Sequence, residues 1–172
     1  MKTSTSFPRR GERGNAMLEF ALSALVLITM FLMTFQFGYA FYVYSKLQTA
    51  VRNGARYGSI RTFRSVNNTS IGKFKTAVQQ MVAYSDPTSS SGTPVVPGLD
   101  ASGITVNITD AAGNASGSFG SPGSRNYVEP YKVQVYVSNY SLDALFRTYS
   151  FGSKPYENFP YVGVWQPEIA EP

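Results

Sequence analysis

The chain has 172 residues, a formal charge of +5, and neither cysteine nor histidine. These absences exclude disulfides, thiolate and imidazole metal ligands, cysteine nucleophiles and the usual histidine general base. Residues 1–14 carry four basic side chains against one acidic one, so most of the excess charge is local, unlike the basic surface of a nucleic-acid-binding protein. We expect neither enzymatic activity nor a nucleic-acid partner.

The first 14 residues form a short basic leader that is rich in serine and threonine and has no apolar run. One interpretation is the charged region of a secretory signal, with residues 20–35 as its apolar core. That interpretation fits poorly, because no small-x-small cleavage site follows promptly and the uncharged segment is too long. A membrane anchor fits better.

The uncharged segment runs for 26 residues from Phe20 to Ser45 without a proline. As a helix it would be roughly 39 Å long, more than the ~30 Å hydrocarbon core of a bilayer requires. Aromatic residues cluster where such a helix would leave the lipid, as an interfacial belt does: Phe35, Phe37, Tyr39, Phe41, Tyr42 and Tyr44. The segment predicts a transmembrane helix with the lipid bilayer as its partner.

Beyond Lys46 the helical pattern continues in amphipathic form. Apolar and small residues recur at steps of three and four, which predicts one buried stripe; they are Tyr44, Leu47, Val51, Ala55 and Gly58. Lys46, Arg52 and Arg56 lie off that stripe. The simplest prediction is one long helix from Arg13 to Tyr57.

The remaining residues, 59–172, predict a small domain of mixed structure. The spacing of Ile71, Phe74, Val78 and Val82 predicts a second helix up to about Tyr84. Thr69 or Ser70 is positioned to cap it. The Ser-, Pro- and Gly-rich segment 85–98 predicts a linker or exposed loop.

Two alternating segments predict strands, one at Ile104–Ile108 and the clearer one at Tyr131–Val137. The long glycine-rich stretch between them predicts a hairpin loop. Further on, we expect a helical turn at Leu142–Arg147, capped by Ser141, and a last edge strand at Tyr161–Trp165. The fold class predicted is α+β: a long N-terminal transmembrane helix, a shorter second helix and a small antiparallel sheet.

Three aspartates, Asp86, Asp100 and Asp110, fall in the predicted loops and carry the oxygen ligands that calcium prefers. Their spacing matches no calcium-loop pattern, so we expect solvated loop acids, no metal and no cofactor.

Glu19 is the one acid at the start of the apolar segment. It costs about 2.5–3.5 kcal/mol at the bilayer centre and less near the edge. One account places it at the headgroup boundary near Arg13, where it interacts favourably with the positive end of the helix dipole. The other account depends on its neighbours.

Those neighbours read RGNAMLEFAL, followed by FGYAFYVYSKLQTAV and RNGARYG. A basic residue, a glycine, then a glutamate fifth and an aromatic sixth after it resemble the processing site of type IV pilin-like proteins. More closely, the segment from Arg13 to Tyr57 resembles the TadE-like family of minor pilins, or pseudopilins, of the Tad (tight-adherence, Flp-type) pilus system. The resemblance covers about a quarter of the chain, and residues 59–172 show no signature of the family.

The resemblance implies a role for each residue of the motif. A prepilin-type aspartic peptidase would cut between Gly14 and Asn15, while Arg13, Glu19 and Phe20 would serve recognition and assembly. The chain would then divide into a leader at 1–14, a transmembrane helix with an amphipathic extension at 15–58, and an extracytoplasmic α+β domain at 59–172. Its partners would be other pilin or pseudopilin subunits and inner-membrane assembly proteins.

The orientation expected is a cytoplasmic N-terminus and an extracytoplasmic C-terminal domain in a single-pass inner-membrane protein. Basic residues flank the span on both sides, so the positive-inside rule is close to undecided. The short leader and the motif favour this orientation.

Two functions from different classes fit the sequence. One is a membrane-anchored minor pilin that takes part in pilus assembly. The alternative is a single-pass anchored module that binds or senses a ligand through its extracytoplasmic domain. The pairing of Gly14 with Glu19 separates the two, because a plain anchor needs no glycine ahead of an intramembrane acid.

Overall fold

The computed structural model describes residues 12–64, 68–115, 129–144, 147–163 and 165–166. Its first element is a helix of 49 residues, α1, from Glu12 to Ile60. The predicted long helix is therefore confirmed. The chain divides into two compact units, one ending at Tyr39 and the other running from Ala40 to Pro172.

The other elements lie in the second unit. They are β1 Phe63–Arg64, α2 Asn68–Tyr84, a 3₁₀ turn at Ala101–Gly103, β2 Ile104–Thr109, β3 Lys132–Val137, β4 Tyr140–Ala144, β5 Arg147–Phe151, β6 Tyr156–Pro160 and β7 Trp165–Gln166. The predicted α+β class is confirmed, and so are the second helix and the two alternating strands.

The core of the second unit forms where α1 and α2 bury their apolar stripes. On α1 the predicted stripe is confirmed: Leu47, Val51 and Ala55 are fully buried, and the basic residues between them are exposed. The predicted face of α2 is likewise buried, at Ile71, Phe74, Val78 and Val82. A stripe at helical spacing can leave water only by packing against another element, and here both stripes join one hydrophobic cluster.

A three-stranded antiparallel sheet in the order β2-β3-β6 contributes to the same cluster. Its buried face is aliphatic on the first two strands, with Ile104 opposite Val137, Val106 opposite Val135, and Ile108 opposite Val133. Alternation along each strand places polar residues on the other face. The Ser-rich segment 85–98 contains no helix or strand and is largely exposed, as the loop alternative predicts, although Val96 is buried in the core.

The helical turn predicted at Leu142–Arg147 is wrong. This part of the chain forms the hairpin of β4 and β5, with Tyr140 opposite Phe151 and Leu142 opposite Tyr149. Tyr140 and Leu142 are buried while Ser141 between them is exposed, which is the period of two of a strand. Ring stacking of Tyr140 on Phe151, at 5.9 Å between centroids, fixes the pairing.

The last strand was also predicted in the wrong place. The structure has β6 before Tyr161 and β7 at Trp165–Gln166, whereas Tyr161 itself lies outside any strand. β7 pairs in parallel with β1. Beside this pair, the N–H groups of Val162 and Gly163 both donate to the Ser59 carbonyl oxygen at 2.9 Å. The carbonyl end of α1 is thus bonded by the C-terminal segment, a long-range contact that local pattern does not reveal.

Several expectations fall partly outside the described residues. They concern the leader up to residue 11, the side chains of Thr69 and Ser70, and residues 116–128 of the loop between β2 and β3. That loop does join two neighbouring antiparallel strands, as a hairpin loop must. The division of the chain at residues 14 and 58 stays a prediction.

Candidate processing and assembly site

The residues of the predicted processing motif all lie within the first nine residues of α1. Gly14, Asn15, Glu19 and Phe20 are exposed, and Phe20 leaves 76% of its surface uncovered. Arg13 also lies in the helix, and its side chain is outside the described set. One continuous stretch of helix therefore brings the motif together.

The bond between Gly14 and Asn15 is close to the N-terminal end of the helix. The first four N–H groups of a helix have no intrahelical acceptor, so this end opens more readily than the middle. Glycine weakens it further, by about 1 kcal/mol relative to alanine. Among the described residues, no atom outside the local helix lies within 4 Å of a Cβ built on Gly14. Within this part of the chain the bond therefore has open space around it.

Asn15 and Glu19 are four residues apart, so they stand on one face of the helix about 6 Å apart along its axis. Among the described residues Glu19 makes no ion pair. A new α-amine at Asn15 would lie within reach of its carboxylate.

The surface that follows this site is apolar on every side of the helix. Large apolar side chains are more than half exposed on successive turns from Met17 to Phe37. A helix that is apolar all round is stable only in lipid or between other helices. Gly14–Ile60 is long and apolar enough to cross a membrane, and the most apolar part of it is unburied. These features fit a single-pass membrane anchor.

The two threonines within this segment satisfy their hydrogen bonds locally. The Thr29 hydroxyl donates to the Leu25 carbonyl oxygen at 2.7 Å, and the Thr34 hydroxyl donates to that of Met30 at 3.0 Å. In lipid each polar group must find a partner within the protein. The threonines therefore impose little cost on insertion, and Glu19 is the one carboxylate between Gly14 and Ser45.

The three loop aspartates are not gathered into a metal site. Asp86 accepts hydrogen bonds from the backbone N–H and the hydroxyl of Thr88, and Asp110 from Asn114. Asp100 accepts them from the hydroxyls of Ser102 and Tyr84. Within the described ranges no three acidic side chains come together as ligands. Each aspartate closes a local turn instead.

Sequence reasoning missed two close approaches in the second unit. Gly54 and Gly58 on α1 lie directly against α2, where a Cβ on either glycine would meet Val82 or Val78. The spacing of four residues between them was the available signal, since small residues at that spacing let two helices approach closely. The amphipathic stripe alone did not reveal it.

In a comparison with protein families, the model of the TadE-like protein family matches residues 14–56. This confirms the resemblance and places it on the helix that carries the motif. Neither the curated proteins nor the solved structures include a match to the chain. The family match and the apolar helix together fit a membrane protein associated with the Tad pilus.

Proposed function

We propose that this chain is a minor pilin of a Tad-type pilus that is cut after Gly14 and takes part in pilus assembly. The observation that carries the proposal is the position of Gly14, Asn15 and Glu19. They lie on the exposed first turns of a helix that carries no charged residue from Phe20 to Ser45, a run of 26 residues. The family match over residues 14–56 supports it.

Cleavage would make Asn15 the first residue and give it a positive α-amine. The four basic side chains of the leader would be removed at the same time, which leaves a helix start with one amine and one carboxylate. In a water-poor bundle of helices these two charges neutralise each other. An unpaired charge there is expensive, so subunits in which the pair forms are favoured in the assembly.

The proposal assigns a cytoplasmic side to the leader and an extracytoplasmic side to residues 59–172. The peptidase would be a separate prepilin-type aspartic enzyme of the inner membrane. Other pilin-like subunits and inner-membrane assembly proteins would contact the apolar helix. The second unit, with its own core, would remain outside the lipid.

The direct test is the N-terminal residue of the protein recovered from membranes of cells that contain a prepilin peptidase. We expect intact mass to show loss of residues 1–14. Gly14→Leu should retain the full mass, because a bulky side chain at this position obstructs the peptidase. Gly38→Leu is the matched control: it adds the same side chain to the same helix, where a Cβ has open space, and cleavage should proceed.

Two results would overturn the proposal. One is a wild-type protein that keeps Met1 or is cut at another bond. The other is equal processing of Gly14→Leu and wild type, which would remove the reason for a glycine at this position. The ligand-binding module would then become the better account.

A further inference from the structure

The outer face of the β2-β3-β6 sheet carries two rows of side chains in register. In the first row Thr105 stands opposite Tyr136, and Tyr136 opposite Tyr156. Neighbouring strands are about 4.8 Å apart, so a row crosses the sheet in steps of that size. The two tyrosine rings are 6.3 Å apart between centroids and tilted by 36°. They form an aromatic ledge on this face.

The second row consists of primary amides and lies beside the ledge. Asn107 stands opposite Gln134, and Gln134 opposite Asn158. None of the three amide groups hydrogen-bonds to another described residue, nor does either tyrosine hydroxyl of the ledge. Each amide offers two donors and an acceptor. Within the described part of the chain their hydrogen-bonding capacity is unused, and Asn158 is exposed while Asn107 and Gln134 are half-buried.

Asparagine is an unfavourable choice for a strand, where β-branched and aromatic residues fit better. Here it occupies register-matched positions on both edge strands, Asn107 on β2 and Asn158 on β6. The buried face of the same strands follows the expected pattern of Ile and Val. Two asparagines that oppose strand propensity, placed beside two aromatic rings, indicate a role in binding.

Charge on this face defines the ligand further. The two rows contain no ionisable acid or base other than the tyrosine hydroxyls. The nearest basic side chain on the face, Lys132, has its Nζ 5.0 Å from the centroid of the Tyr131 ring. Glu157 of β6 belongs to the other face and pairs with Arg52 at 3.3 Å. The two neutral rows match a neutral ligand, because a charged one would lose hydration without finding a counter-charge within them.

From these features we infer that the outer sheet face binds an uncharged, extended β-linked polysaccharide. A sugar ring has an apolar C–H face that stacks on an aromatic ring, and its hydroxyls bond the donors and acceptors of amides. The two rows cross three strands in steps of about 4.8 Å, so they suit an extended ligand that contacts several strands in succession. This site goes beyond pilus assembly, since it assigns a ligand to the second unit.

The test is calorimetric titration of cellohexaose, a neutral β-linked glucose hexamer, into the full chain in a detergent without a sugar headgroup. We expect saturable binding, weakened about tenfold in Tyr156→Ala, a change of 1.4 kcal/mol. Tyr131→Ala is the matched control: the two tyrosines are exposed to nearly the same extent, 49% for Tyr131 and 48% for Tyr156, but Tyr131 lies outside the rows. It should bind within twofold of wild type.

Thermal unfolding of each variant shows whether the domain is folded. If Tyr156→Ala is not, Asn158→Ala carries the test, because this exposed edge residue supplies an amide and no core contact. The inference is overturned if cellohexaose does not bind, or if Tyr131→Ala weakens binding as much as the variants in the rows do. Tighter, salt-sensitive binding of hexagalacturonate would also overturn it, since the surface would then recognise charge.

Discussion

Gly54 of α1 lies so close to Val82 of α2 that a Cβ at position 54 would overlap the Cγ2 methyl group of the valine. The contact is in the middle of the core, where Val82 is fully buried. Valine has a stiff χ1 in a helix and cannot turn away freely. The two helices can therefore approach this closely only because residue 54 has no side chain.

We predict that Gly54→Ala destabilises the second unit by about 1–2 kcal/mol. Overpacking of a core costs about 1–3 kcal/mol, which outweighs the gain of up to ~1 kcal/mol that alanine brings to a helix. Gly72→Ala is the matched control on α2, where nothing lies within 4 Å of the new Cβ. It should stabilise the protein by about 0.5–1 kcal/mol. Denaturant unfolding of the detergent-solubilised chain measures both, and effects of the same sign would refute the packing argument.

Glu19→Gln tests whether Glu19 only marks the boundary of the membrane helix or takes part in assembly. If Glu19 neutralises the Asn15 amine in a helix bundle, the amide leaves that cation unpaired. Breaking a buried pair costs about 3–5 kcal/mol, so incorporation should fall by two or more decades. Membrane abundance should be normal and cleavage largely preserved. The measurement is pilus production set against membrane abundance of the variant.

Glu12→Gln is the control for that experiment, because it removes an acid from the same end of α1 but one that the proposed cleavage discards. It should leave pilus production unchanged. Wild-type pili from Glu19→Gln at normal abundance would mean that the residue only marks the helix boundary. The loss of its interaction with the dipole would then cost about 0.3–1 kcal/mol.

Topology can be tested with single cysteines, since the chain has none of its own. We predict that Ser150→Cys, at an exposed position on β5, reacts with a membrane-impermeant maleimide in intact spheroplasts. Ser4→Cys should react only after lysis, in cells that lack the prepilin peptidase and therefore keep the leader. The reverse pattern of labelling would place the C-terminal domain in the cytoplasm.

Asp110 should make the stability of the second unit depend on pH in the acid range. The N–H of Asn114 donates to its Oδ1 at 2.7 Å, and this bond, the largest cause, lowers the pKa of Asp110 in the folded state. The stabilisation is present above the unfolded pKa, about 3.9, and is lost as the pH falls through the folded value. Asp110→Asn should reduce the difference between unfolding midpoints at pH 6 and pH 3. An unchanged difference between the midpoints would show that the turn at Asp110 contributes nothing to the pH dependence of stability.

The sequence alone determined the elements whose information is local. The helix α1 follows from an unbroken apolar segment and then a stripe at helical spacing, and β2 and β3 follow from strict alternation. The motif from Gly14 to Phe20 could be recognised because its residues are contiguous and about two turns of one helix hold them together, while the roles assigned to them stay a prediction. Each of these features depends on residues within a few positions of each other.

Tertiary structure decided what depends on distant residues. The hairpin of β4 and β5 was predicted as a helical turn, because the short apolar pattern around Leu142 fits both the helical and the strand period. The stacking of Tyr140 on Phe151, a contact between distant residues, distinguishes the two. Similarly, only the pairing of β3 with β6 aligns Gln134 with Asn158, 24 positions later in the chain. The approach of Gly54 to Val82 depends on how two helices cross. Local propensity does not identify these partners, because the free energy that favours each contact comes from burying the surfaces of both partners at once.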